Sequence, residues 1–474
     1  MLVIVACENY LEEDPKAFIS STNFYQNESD AQAAIAAAYA STRPDFFGTW
    51  YNAFLVLHGG YADGRGSQAP ISIYDQVLDQ QNIGRAGTFW NSHYSAINRA
   101  NAVLDNVSQT IDISDELKSQ ILGEAHFLRA VSYFNLVRGY GPIPLRISET
   151  RDLADIEAPR APESEVYAQI LEDALVAEKN LPDTHTEGTG RAGKWAAKML
   201  LANIYLTLGQ WDQARDKANE VINSGIYTLV PVTEADDFYN IFRQRTHSED
   251  IMSIQHNETS QSGIVTFMHR ANIPPYNPVG SGFFAWLPIE NSFIGDSWDD
   301  NDLRKAFNLY TEYDDGTGNI VPLPDSSPKL FKKYIDMPDG LQTHSIPVYR
   351  YTEAFLIYAE AANEAEGGPS AEALENLNII KRRGYGYDFN TPSPVDYPAG
   401  MSQSDFREAV WQELDYEFVL EGKRWWNLKR TGRVKETFQD IGRTIIDERL
   451  LWPLPENEIN TNPALTEADQ NPGY

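Results

Sequence analysis

The sequence predicts a mostly α-helical protein, and three observations carry that prediction. Apolar residues recur every three or four positions through the first half and the last quarter of the chain. Several of these runs come in pairs joined by short polar turns. Between the two periodic regions, residues 225–348 carry Pro231, Pro274, Pro275, Pro278, Pro288, Pro322, Pro324, Pro328, Pro338 and Pro347, which no long helix tolerates.

Taken in order, an alanine-rich helix is expected over 31–39, followed by long ones over 89–107 and 117–137. In the last of these Phe127, Val131, Phe134 and Val137 form one apolar stripe, and Gly141-Pro142-Ile143-Pro144 forces an end at Gly139 or soon after. Further helices are expected over 164–180, 194–208, 211–224, 351–365, 371–382 and 406–428. The clearest pair is 197–208 with 211–221: small residues at Ala197 and Ala202 allow close approach, Gly209-Gln210 turns the chain, and Trp211 with Ala214 starts the partner. This is tetratricopeptide logic, in which each hairpin buries a face that its neighbour completes. The proline-rich segment is then a loop-rich elaboration mounted on the helical scaffold, of the kind that carries function.

The 474 residues hold 68 acidic and 38 basic side chains, a formal charge of −30. Such a field repels polyanions, which disfavours nucleic acid as a partner. No run of 18 apolar residues is present, so no membrane-spanning helix is expected. The single cysteine, Cys7, follows Leu2-Val3-Ile4-Val5-Ala6, and Ile4-Val5-Ala6-Cys7 fits a bacterial lipobox. Residues 1–7 are therefore expected to be the remnant of a lipoprotein signal ending at the lipidation cysteine, and 8–474 a single domain. Its scaffold covers about 20–224 and 349–430, with an extended tail at 440–474.

Catalytic signatures are missing. Gly188-Thr-Gly-Arg-Ala-Gly193-Lys194 mimics a phosphate-binding loop, but Trp195 stands where a magnesium-binding hydroxyl must be and no apolar strand precedes it. The eight histidines have no metal-ligand spacing. Carboxylates gather at Asp236-Asp237, Asp299-Asp300-Asn301-Asp302 and Asp314-Asp315, yet none forms the Asp-x-Asp-x-Asp-Gly loop of a calcium site. A structural calcium ion therefore has no support in the sequence, and no cofactor is expected. Aromatics are more informative, because a sugar presents apolar C–H faces to flat rings and hydroxyls to Asp, Asn or Arg. The loop Tyr61-Ala62-Asp63-Gly64-Arg65 and the region from Tyr276 through Trp286 to Trp298 supply both kinds. For Trp286 and Trp298 a place in the core competes with a place in a binding platform.

Several segments together resemble the SusD/RagB family, surface lipoproteins of Bacteroidetes that capture nutrients beside a TonB-dependent, SusC-like transporter. They are Cys7-Glu8-Asn9-Tyr10-Leu11, Trp90 to Asn101, Glu124 to Arg129 with the exit Gly141 to Pro144, Gly190-Arg191, Tyr351 to Ala361, Leu377 to Gly384, Glu417 to Arg424, Trp452-Pro453-Leu454-Pro455, and Gln470 to Tyr474. The resemblance spans the whole chain. It implies a SusD-like fold in which four tetratricopeptide-like helix pairs form a right-handed superhelical scaffold around a large irregular ligand-binding region. It also implies no enzymatic activity, a lipid anchor at the outer membrane with surface exposure, and a monomer when soluble. Poly- or oligosaccharide and the transporter are the implied partners. Glu421-Gly422-Lys423-Arg424 is expected to be a charge pair and turn. The family's loop ahead of the Trp90 helix corresponds to Tyr61 to Arg65. Expected glycan contacts are Tyr61, Asp63, Arg65, Tyr74, Tyr276, Trp286 and Trp298, with a neutral, laminarin-type β-glucan as the preferred ligand. The alternatives are a peptide or protein receptor of the same fold and a glycoside hydrolase.

Overall fold

Periodic apolar stripes become helices that pack on one another in chain order. The computed structural model describes residues 24–42, 49–110, 112–184, 190–243, 246–259, 261–268, 285–334 and 343–474. The scaffold opens with α1 (Glu28–Ala40), α2 (Thr49–Leu57), α3 (Gln80–Val107), α4 (Asp115–Tyr140), α5 (Glu163–Asn180), α6 (Lys194–Thr207) and α7 (Trp211–Ile222). Short helices α8 (Tyr239–Phe242), α9 (Val265–Met268) and α10 (Leu303–Asn308) lie in the elaboration, and α11 (Tyr351–Glu366), α12 (Ala371–Gly384), α13 (Gln403–Glu417) and α14 (Arg424–Arg430) resume the scaffold. Neighbours stack in series from α3 to α7, then α7 meets α11, which also packs on α12 and α13. Helix α4 begins where Ser114 Oγ accepts from the Leu117 N–H at 3.3 Å and ends at Tyr140, as the glycine and prolines beyond require.

The helix expected over 406–428 is two. Leu420 and Gly422 adopt φ of 64° and 71°, so the chain turns between α13 and α14 instead of continuing. Tertiary bonds fix this break: the Tyr61 hydroxyl accepts from the Leu420 N–H at 3.1 Å, and Glu421 is taken by Lys333 and Arg350 at 2.6 and 2.8 Å. A left-handed backbone at a non-glycine residue costs free energy that only such surrounding contacts offset.

Strands are short and pair two by two, all antiparallel: β1 (Ala62–Gly64) with β5 (Trp286–Pro288), β2 (Ile143–Pro144) with β3 (Arg160–Ala161), β4 (Asp250–Ile254) with β10 (Ile346–Arg350), β6 (Leu309–Tyr310) with β9 (Leu330–Phe331), and β7 (Glu312–Asp314) with β8 (Ile320–Pro322). One apolar core runs from the helices into the elaboration, joining Val131 and Leu200 to Phe267, Trp286 and Phe307; Tyr310, Leu323 and Leu330 form a small satellite.

A buried ionic cluster ties the two regions together. Arg383 bridges Glu249 and Glu417 at 2.5 and 2.6 Å, Arg350 bridges Glu417 and Glu421 at 3.0 and 2.8 Å, and Arg304 holds Asp302 and Glu413 at 2.7 and 2.8 Å. Burial alone would raise the Glu417 carboxyl, but Arg383, Arg350 and Arg304 outweigh it and hold the group at about 2. At Glu413 burial wins and the pKa is raised. Removing one member would strand an unpaired charge in the interior, which is why such clusters fix geometry strongly even where they add little net stability.

Candidate functional site

The two loops singled out in the sequence meet. In the β1–β5 pair Ala62 faces Pro288, Asp63 faces Leu287 and Gly64 faces Trp286, and the Arg65 N–H donates to the Ala285 carbonyl at 2.7 Å. A tight 3₁₀ helix, Gly66–Ser72, folds back over this ribbon. Only glycine fits at position 64, because a Cβ there would lie 2.2 Å from the Gln68 carbonyl oxygen.

The orientation of the aromatics corrects the sequence expectation. Trp286, Trp298, Tyr61 and Tyr74 are 0, 1, 2 and 2 % exposed, so they are core side chains here and present no face to a sugar. Trp286 Nε1 donates to Gln68 Oε1 at 2.7 Å, and its ring lies 5.6 Å from that of Phe267. Trp298 stacks on Tyr416 at 4.5 Å with planes 4° apart, and its Nε1 donates to Asp302 Oδ2 at 3.0 Å. Its stacking surface is thus taken by a partner from α13. Tyr61 packs edge-on against Phe293 at 5.4 Å; Tyr74 packs edge-on against Phe438 at 4.2 Å and donates its hydroxyl to the Leu57 carbonyl. Burial pushes the hydroxyl pKa of both tyrosines well above the usual range. Asp63 is half-buried and held bidentate by Arg443 at 2.6 and 2.7 Å. Arg65 stays exposed. Tyr276 and Cys7 lie outside the described residues.

An open cleft of about 420 Å³ lies beside this ribbon, lined by Trp50, Arg65, Ser67, Gln68, Phe267 and Ala285. Trp50, absent from the sequence-based candidates, is its half-buried platform: its ring centroid is 5.1 Å from that of Phe267, and the Arg85 guanidinium sits 3.9 Å over it. Arg85 is aimed by Ser67 and Asn82, with bonds of 2.8 Å to the Ser67 carbonyl, Ser67 Oγ and Asn82 Oδ1. From Arg85 a polar stripe continues along α3 through Thr88, Ser92, Ser95 and Arg99, the spacing of one helix face. Thr88, Ser92, Ser95 and Arg99, with Asn91 and the end of α1, line a second open groove of about 450 Å³. Fourteen residues at 1.5 Å rise make the track from Arg85 to Arg99 about 21 Å long. A flat ring, guanidinium donors and hydroxyls along an extended surface suit a polyhydroxylated chain and supply no nucleophile with its base. Among the described residues no group of three metal-ligating side chains gathers anywhere, and no helix is long and apolar enough to cross a membrane.

Comparison with known proteins agrees with this architecture. Residues 10–206 match a SusD-like family model described as starch-binding and associating with the outer membrane, and residues 330–474 match the model of the SusD family. The chain is 28 % identical over 506 aligned positions to SusD-like protein P2 of Formosa agariphila, covering 100 % of this chain and 98 % of that one. A SusD superfamily protein from Parabacteroides distasonis superposes with a TM-score of 0.78 at 23 % identity, over 96 % of this chain and all (100 %) of that one. A structure described as a laminarin-binding SusD-like protein superposes with a TM-score of 0.75 at 23 % identity, over 95 % of this chain and 100 % of its own. Two models of one family, matching in order along a chain whose whole length follows a curated SusD-like relative, establish that the protein belongs to the SusD/RagB family of glycan-binding, outer-membrane-associated proteins.

Proposed function

We propose that this protein captures a neutral poly- or oligosaccharide, a laminarin-type β-glucan first among them, without catalysis, and passes it to a SusC-like TonB-dependent transporter. The observation that carries the reading is the open cleft lined by the half-buried Trp50 ring, which Arg85 braces from one side, together with the polar side chains of Arg65, Ser67 and Gln68. An aromatic platform with oriented donors is what a non-catalytic sugar site requires. Two further points favour a neutral glucan: the charge of −30, which opposes long-range approach of polyanions, and the laminarin-binding relative of the same fold. Lipidation at Cys7 would hold the protein at the cell surface. The cleft would then face the transporter barrel, because enclosure by a second surface raises effective concentration and slows escape from a site of modest affinity.

Affinity electrophoresis against laminarin, starch, mannan, alginate and a sulfated glycan tests the ligand class. Laminarin is expected to retard the protein most, and the Trp50→Ala variant is expected to be retarded much less. Tighter retention by alginate or sulfated glycan would overturn the ligand assignment, and binding confined to a peptide library would overturn the glycan reading. Steady release of reducing ends by the pure protein would overturn the non-catalytic reading. For the transporter, cross-linking in native membranes is expected to join the Trp50–Arg65 face to a TonB-dependent barrel; links only from the opposite face would contradict that arrangement.

A further inference from the structure

Helix α2 presents successive side chains to two different hollows. Trp50 faces the open cleft, whereas Tyr51 lines a separate and narrower pocket between α2, α4, α6 and the α13–α14 turn. About 70 Å³ of this pocket is open to water. At roughly 10–15 Å³ per water position, that is room for a handful of waters or for one small polar group with two or three carbons behind it.

The charges that line this pocket balance except for one. Lys423 pairs with Glu353 at 3.0 Å, Arg430 with Glu360 at 2.6 Å, and Glu421 with Lys333 and Arg350 at 2.6 and 2.8 Å. Arg138 forms no ion pair among the described residues; Glu353, the carboxylate whose charge reaches it, is already bonded to Lys423. Its guanidinium is packed against Phe134 at 3.7 Å and Trp426 at 4.7 Å. Nε donates to the Phe134 carbonyl at 3.0 Å and Nη2 to Asn135 Oδ1 at 2.5 Å, which leaves Nη1 and the second Nη2 hydrogen at the free edge. Asn135, 3 % exposed and also lining the pocket, has an Nδ2 with no hydrogen-bond partner. A buried amide donor left unpaired is costly, and the half-buried Arg138 guanidinium beside it forms no ion pair of its own. Burial accordingly pulls Arg138 below the usual guanidinium range.

A planar cation with its faces covered and its edge free, beside a spare amide donor, has the geometry that reads a carboxylate through paired N–H donors. We propose that this pocket binds the carboxylate of a small organic acid, held by Arg138 and Asn135. This site is separate from the glycan cleft, and the proposal does not rest on the ligand assigned there.

The test is calorimetric titration of the full protein with acetate, lactate and acetamide. Acetate, lactate or both are expected to bind while the neutral acetamide does not, and Arg138→Gln is expected to weaken that binding at least tenfold with polysaccharide retention unchanged. Acetate binding alone identifies a simple carboxylate pocket, and tighter lactate binding identifies a hydroxy-acid pocket. Equal binding of acetamide, or carboxylate binding indifferent to Arg138→Gln, would overturn the proposal. A second measurement does not depend on a variant that folds: wild-type crystals soaked in bromoacetate should show an anomalous bromine peak in this pocket. A pocket filled only by ordered water under those conditions would overturn it equally.

Discussion

Replacing Trp298 by alanine separates a core tryptophan from a binding platform. The ring is 1 % exposed, stacks on Tyr416 at 4.5 Å, and donates to Asp302 at 3.0 Å. Truncating a buried tryptophan costs about 3 to 5 kcal/mol through lost burial and the cavity left behind, a range that includes the ~0.5–1.5 kcal/mol of the aromatic pair. The lost indole bond adds little stranded charge, since Asp302 keeps Arg304 at 2.7 Å. About 4 kcal/mol is therefore expected. For a chain of this length the unfolding entropy is about 1 kcal/mol/K, so Tm should fall by ~4 °C, with a matching drop in the denaturation midpoint in urea. Trp50→Ala is the paired control. Its half-buried ring should cost about 1 kcal/mol of stability, while laminarin affinity falls roughly tenfold, equivalent to ~1.4 kcal/mol. Circular dichroism melts and affinity electrophoresis on the two variants read both quantities. An unchanged melt with lost glycan retention for Trp298→Ala, alongside silent Trp50→Ala, would refute the assignment of core and platform.

Three further outcomes follow from the same contacts. Gly64→Ala would push a Cβ to 2.2 Å from the Gln68 carbonyl oxygen; the 3₁₀ helix must shift, and a loss of more than about 1 kcal/mol with weakened glycan retention is expected, whereas wild-type stability and binding would show that the turn adapts freely. Asp63→Asn removes a half-exposed ion pair with Arg443 and should change stability by only about 0–1 kcal/mol, so a collapse in urea titration would contradict it. Glu417, held at about 2 against an ordinary 4.5, contributes up to about 3 kcal/mol that is present above pH 4.5 and lost as pH falls from there toward 2. Glu413, raised by burial, has the opposite sign: its charging weakens the fold at neutral pH, and that penalty lifts as pH falls. Urea midpoints between pH 7 and 3 should show a shallower acid limb for Glu417→Gln than for wild type; identical limbs would remove Glu417 from the account.

Helices were legible because their stripes are local, and α4 ends where Gly141 and the prolines after it said it must. The break between α13 and α14 was hidden because the apolar rhythm runs through it, and what bends the chain is remote: the Tyr61 hydroxyl on Leu420, and Lys333 and Arg350 on Glu421. The Tyr61–Arg65 loop and the Trp286 region read from the sequence as one functional neighbourhood, and the β1–β5 pair joins them. Which face of that ribbon is buried was not, because a three-residue strand has too little alternation to declare its inner side and Gln68, which bonds Trp286, comes from the 3₁₀ helix folded over it. Trp50 carries no sequence mark for a related reason. It opens α2, whose following residues Tyr51 to Leu57 are all buried, so no amphipathic contrast marks the one ring that reaches solvent. The stripe Arg85, Thr88, Ser92, Ser95 and Arg99 had the helical spacing in plain view, but hydroxyls on a helix face are ordinary surface until an aromatic ring is found beside them.

The most direct test of the central claim is a structure of the protein with a laminari-oligosaccharide bound. The account predicts a glucose ring packed on the exposed face of Trp50, hydroxyls bonded to Arg65 or Arg85, and the chain running along α3 toward Arg99, with Trp286 and Trp298 still buried. Oligosaccharide seated elsewhere, or stacked on Trp286 or Trp298 after those rings have swung out, would contradict it.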